Sequence, residues 1–387
     1  MGLRRLLQGL LLVALLAGAL AAQGFDAEGN ALGSLPGMMD DPPGTMLLEF
    51  KLGPRIYGLT VVGDTFYAVA QPNVLEFDRQ GSVKSTISLS GAPAGFSPFG
   101  LGYDHSRNSF ILCDATFKGI VLADPSGKVS TFASYSPNRA VGAAYDSVRD
   151  GYWLTMLSPY QLLLYDAKNL PSVLMTIDLV AVGATRVAGA AYDPINDIVY
   201  TNSRDKKAGY AFSAATGALL YSWPLVHQGT NNGQGAAWWD RWQSAVVADY
   251  ETFDVTFTET GYPRVKAADR VAIGTGLAIT WTAANSPSKF YKAGASLTER
   301  IPGIRFGNRY FPMHLDNLFF LSIQTPAIFS RFEGVLDPGG TAMGSVNVPN
   351  VGALVGFQFS IAWVTVDSGA PFGIDAISGP WQVLVTK

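Results

Sequence analysis

The sequence predicts an all-β chain: a five-bladed β-propeller followed by a C-terminal antiparallel β-sandwich. The first observation behind this is a phrase that restarts five times. It reads Gly58-Leu59-Thr60-Val61, Gly100-Leu101-Gly102-Tyr103-Asp104, Gly142-Ala143-Ala144-Tyr145-Asp146, Gly189-Ala190-Ala191-Tyr192-Asp193 and Gly235-Ala236-Ala237-Trp238. The leading glycines stand 42, 42, 47 and 46 residues apart, the period of a four-stranded blade. The second observation is the common interior of the repeats. An Asp-containing turn such as Asp104-His105-Ser106-Arg107-Asn108 leads into an apolar run such as Phe110-Ile111-Leu112-Cys113. A second turn follows, as in Asp124-Pro125-Ser126-Gly127, and then a last strand. Short strands punctuated by Gly, Asp, Asn and Pro at regular spacing mark an all-β chain. The third observation lies beyond the repeats, where Phe357, Phe359, Ile361 and Trp363 alternate onto one strand face.

Taken in order, residues 1–21 read as a signal peptide: Arg4-Arg5, an apolar stretch from Leu6 to Leu20, and a small-residue cleavage site at Ala19-Leu20-Ala21. The stretch is too short to predict a membrane anchor, so the mature chain is expected to be exported to the cell surface, periplasm or medium. Residues 22–45 are rich in Gly, Pro, Asp and Met without periodicity, an expected flexible segment. Met46–Leu52 looks like a last strand lacking its own blade, and its expected place is the fifth blade, closing the ring with both chain ends. The propeller is expected over 46–270, with a sixth blade around Lys266–Lys289 as the alternative. The sandwich is expected over 275–387.

Composition narrows the function classes. The 387 residues carry a formal net charge of −3 with no basic run, which excludes nucleic acid as an expected partner. Cys113 is the only cysteine, so no internal disulfide forms, and its apolar strand predicts a buried, inert thiol. No His/Cys/Asp cluster has metal-ligand spacing, and no cofactor is expected.

Part of the C-terminal segment resembles a known domain. Gly303-Ile304-Arg305-Phe306-Gly307-Asn308, Gly334-Val335-Leu336-Asp337-Pro338, Val348-Pro349-Asn350, Leu354 to Phe359 and Val366-Asp367-Ser368 are similar to a C-terminal domain of secreted planctomycete-type bacterial proteins, often found after propeller repeats. The resemblance implies secreted or surface use and supplies no catalytic residues. The propeller has a general likeness to NHL-like and lactonase-like propellers, which include both binders and enzymes. Ala211 to Gly217 is similar to the repeat of quinone-dependent propeller dehydrogenases, but in one blade only, with Ser213 where that repeat has Asp.

Registering the repeats yields the candidate site. Three residues before each glycine stand Arg55, Ser97, Arg139, Arg186 and Asn232; at the far end of each second strand stand Gln71, Asp114, Met156, Ser203 and Asp249. Equivalent positions in a closed ring share one radius and height, so these form neighbouring rings at one channel mouth. Two readings of the arginines compete: struts that pair with Asp between blades, or forks that hold a small anionic ligand, a glycan or a peptide. His227 lies in a connection on the same face. A hydrolase or lyase using His227, Asp114 and an Arg is the alternative function. Asp114 and Asp249 sit in non-adjacent blades, too far apart for a glycosidase pair, and no catalytic residue is assigned. Trp238 and Trp239 point to opposite strand faces, which predicts that at most one packs between blades.

Overall fold

The computed structural model describes residue 43 and residues 46–114, 119–134, 139–225, 233–240, 244–249 and 253–387. The signal-peptide and N-terminal segment expectations, His227 and Asn232 lie outside these residues. The chain divides into two compact units, Asp41–Thr260 and Gly261–Lys387.

Among the described residues, the first unit holds one four-stranded antiparallel sheet per repeat. The second repeat is typical: Pro98–Asp104, Ser109–Asp114, Gly119–Ala123 and Val129–Ser134 pair in sequence order. The fifth sheet takes Gly233–Trp239, Ser244–Asp249 and Asp254–Glu259 from its own repeat, and Met46–Lys51 as its outer strand. Phe50 stands opposite Val255 and Lys51 opposite Asp254, so Met46–Lys51 completes the sheet containing Trp238, as the sequence predicts.

The five leading glycines show how the sheets meet. A Cβ on Gly58 would lie 2.6 Å from Leu101 N, on Gly100 2.9 Å from Gly142 Cα, on Gly142 2.5 Å from Ala190 N, on Gly189 2.5 Å from Ala236 N, and on Gly235 3.0 Å from Leu59 N. Each first strand therefore abuts the next by its backbone, and the last returns to the first. This propeller-like closure is why the repeat opens on Gly and Ala: a side chain there has no volume to occupy.

Closure also overturns one expectation. Trp238 and Trp239 are both buried. Trp238 stacks on Tyr200 of the fourth sheet at 4.6 Å and 7°, and Trp239 packs edge-on against Phe66 of the first at 5.3 Å. A sheet with a neighbour on each side has no solvent face, so both strand faces are core. The same geometry makes Ser109–Asp114 buried at every position, whereas the outer strand Val129–Ser134 is largely exposed. Cys113 is fully buried, and burial pushes its thiol up to about 12, which removes the reactive thiolate.

In the second unit, Arg264–Ala267, Gly276–Thr282, Thr341–Asn347 and Phe329–Ser330 form one sheet. Arg270–Ala272, Trp381–Thr386, Gln358–Val366, Phe290–Ser296 and Glu333–Val335 form another, with Ile374–Ile377 alongside Gln358–Val366. Part of the stretch read as an alternative sixth blade, Arg264–Ala267 and Gly276–Thr282, pairs here. Trp281 from one sheet and Phe359, Ile361 and Trp363 from the other share a single apolar cluster. Two features depart from the antiparallel expectation. Arg270–Ala272 runs parallel to Trp381–Thr386, and Asn317–Gln324 is an α-helix whose first turn is capped by Asp316 accepting from Phe319 N at 2.9 Å.

Candidate functional site

The first strands of the propeller-like unit run along the axis, and each offers chemistry at both ends. At the starting end, register places the predicted residues equivalently. Leu157 N donates to Arg139 O at 2.8 Å, and Arg204 N to Arg186 O at 3.3 Å. Arg55, Arg139 and Arg186 are all exposed. Arg186 sits in the left-handed region at φ 45°, which costs a non-glycine residue roughly 1 kcal/mol. Its Nη1 lies 3.3 Å from Asp205 Oδ1 within its own sheet. Among the described residues Arg139 makes no ion pair with a carboxylate.

Four of the five residues of the second predicted ring do not reach solvent. Asp114 and Asp249 are fully buried, as are Met156 and Ser203 at the equivalent positions. Asp114 turns back to accept the Ser97 backbone N–H, and Ser203 Oγ donates to Thr185 O. Gln71 is half-buried and donates from Nε2 to Pro98 O at 2.8 Å. These side chains hold the connections that lead onto the first strands, and the arginines stand on those connections.

Struts do exist, at the other end and from residues that the sequence reading took only as turns. Arg107 Nη1 lies 2.6 Å from Asp104 in its own turn and 2.7 Å from Asp150 of the next sheet. Arg149 repeats the fork, 2.8 Å from Asp146 and 2.7 Å from Asp197 of the sheet after. Asp150 and Asp197 are themselves in the left-handed conformation, at φ 49° and 58°, a region Asp and Asn tolerate. Tyr145 and Tyr192 donate to these same residues at 3.1 and 2.9 Å, and Tyr103 bonds the corresponding Asn108. The signal was legible as Asp-x-x-Arg-Asx in the second and third repeats. Its cross-sheet partner was not, because pairing depends on ring closure.

The fourth repeat breaks the pattern: Asn196 stands where Arg107 and Arg149 stand. Asp193 is fully buried and accepts from Asn196 Nδ2 and Ile195 N, both at 2.8 Å, and among the described residues it makes no ion pair with an arginine. Burial raises its carboxyl to about 7 against these hydrogen bonds, whereas the Arg107 fork draws Asp150 down to about 2. A carboxyl raised in the folded state contributes stability that is complete below its unfolded value and is lost as pH rises through the folded one. Stability should therefore fall between about pH 4 and 7 on account of Asp193. Asp193→Asn should flatten that slope in urea unfolding at stepped pH; an unchanged slope would place the titration elsewhere.

Between the struts opens a small axial pocket of about 80 Å³, to which all five sheets contribute. Its floor is small, as at Ala143, Ala190 and Ala236, and its walls are Tyr103, Tyr145, Tyr192, Trp238, His105 and Asp240. The fourth residue of each opening phrase supplies the ring: Val61, Tyr103, Tyr145, Tyr192 and Trp238. Burial lowers the His105 imidazole, so it is neutral at pH 7. Among the described residues no group of three or more His, Cys, Asp or Glu could hold a metal ion, and no helix is long and apolar enough to cross a membrane.

No protein-family model matches the chain, and no curated protein is significantly similar to it. Solved structures with a similar backbone course include Myxococcus xanthus glutaminyl cyclase, at TM-score 0.46 and 11% identity over 56% of this chain and 95% of that one. Kuenenia stuttgartiensis hydrazine synthase gives TM-score 0.35 and 10% identity over 59% of this chain and 75% of that one. Neither likeness bears on the chemistry of this chain.

Proposed function

We propose that the chain is a secreted, non-enzymatic binding protein: a five-bladed propeller followed by a C-terminal β-sandwich of the planctomycete-type class. Its arginine-bearing channel mouth takes an anionic glycan or a comparable small anionic ligand. One observation carries this reading. The interblade struts are Arg107 and Arg149 at the opposite end, which leaves Arg139 and Arg186 exposed at equivalent stations. Exposed guanidiniums suit carboxylate or sulfate oxygens, which they grip in a bidentate fork. The burial of Asp114 counts against the hydrolase alternative, because a general acid or base must reach its substrate. The sandwich serves in this reading as a supporting or attachment module.

Titration of the protein with an oligogalacturonate, beside its neutral galactose counterpart, tests the proposal. The anionic sugar should bind and weaken with added salt. Arg139→Ala should cost about 1.5–3 kcal/mol of binding, the range for a hydrogen bond to a charged group. Because Arg139 is exposed, the same change should shift stability by no more than about 0.5 kcal/mol. A variant that loses stability and keeps binding would overturn the reading.

A further inference from the structure

We propose that the axial pocket at the tyrosine end binds a small organic ammonium ion of the trimethylammonium class. This site is separate from the arginine mouth, since the first strands that link the two are about 20 Å long. Tyr103, Tyr145, Tyr192 and Trp238 bring aromatic surface to the pocket from four successive sheets. The tyrosine hydroxyls are already committed, to Asn108, Asp150 and Asp197. What the rings have left to offer a ligand is π-electron surface, which attracts a cation held near the ring face.

Charge points the same way. Behind the walls, the carboxylates of Asp104, Asp146, Asp150 and Asp197 face the guanidiniums of Arg107 and Arg149 and the exposed ammonium of Lys168. Asp240 adds a carboxylate to the lining itself, and His105, kept neutral by burial, adds no opposing charge. The pocket is therefore set in a negative field, which disfavours an anion and stabilises a cation. Its alanine floor leaves room for a compact head group rather than a long chain.

Choline and 3,3-dimethyl-1-butanol, which has the same shape and hydroxyl without the charge, separate this proposal from simple apolar binding. Calorimetric titration of the full chain should show choline binding, with the neutral compound weaker by about tenfold or more. Tyr145→Leu should weaken choline about tenfold while Tyr145→Phe, which keeps the ring, stays within about twofold. Val61 is the one station in the ring without an aromatic side chain. Val61→Tyr should tighten choline, a readout that survives if Tyr145→Leu does not fold. Equal affinity for the two compounds, no choline binding, or binding of methyl glucoside in their place would overturn the proposal.

Discussion

Replacing Arg149 with Met is expected to destabilise the propeller-like unit by about 3–5 kcal/mol, the loss typical when one partner of a buried ion pair is removed. The guanidinium is only 17% exposed and serves two carboxylates, Asp146 at 0% and Asp197 at 5%. Neither carboxylate has water to replace it. Asp146 also receives the indole N–H of Trp153 at 3.0 Å, so the substitution disturbs a network that ties two sheets together. Arg149→Lys should recover only part of the loss, since one ammonium cannot reproduce the planar fork. The deficit should shrink as pH falls, because a protonated carboxyl needs no counter-charge. Arg107→Met, at a more open station with 30% side-chain exposure, should cost less. Chemical denaturation of the three variants at two pH values checks the order. A loss for Arg149→Met no larger than for Arg107→Met would mean that burial of the fork does not set its cost.

Gly142→Ala is expected to cost about 3 kcal/mol or more, at or beyond the upper range for overpacking a well-filled core. The new methyl would meet the backbone of Gly189 and Ala190, including Ala190 N at 2.5 Å. Backbone cannot rotate aside as a side-chain tip can, so the ring itself must widen. Gly53→Ala is the matched control: a Cβ there meets nothing within 4 Å. It should be neutral or slightly stabilising, by up to about 1 kcal/mol through a less flexible unfolded chain. Thermal unfolding of the two alanine variants decides this directly. If Gly142→Ala unfolds with the native protein, the first strands do not close as tightly as the glycines imply.

The repeat was fully legible in the chain. Glycine spacing, Asp-led turns and apolar runs are local, and a local pattern that recurs needs only its period to announce a blade. The orphan strand at Met46–Lys51 could be placed as well, because the fifth repeat lacked an outer strand and an exposed sheet edge is unfavourable. The arginine stations were found by counting from each glycine, and their exposure follows from standing on a connection rather than in a strand. Three things were decided only by the tertiary structure. The partner of each strut arginine lies in the following repeat, 43 residues on for Arg107 and 48 for Arg149, and only ring closure brings them together. Trp238 and Trp239 could both be buried because their sheet has a neighbour on each side, a fact that alternation within one strand cannot express. Asp114 and Asp249 are buried as well, and Asp114 is held by the backbone N–H of Ser97. Strand periodicity gives the side of a sheet on which a residue lies; whether that side meets solvent depends on what is packed against it.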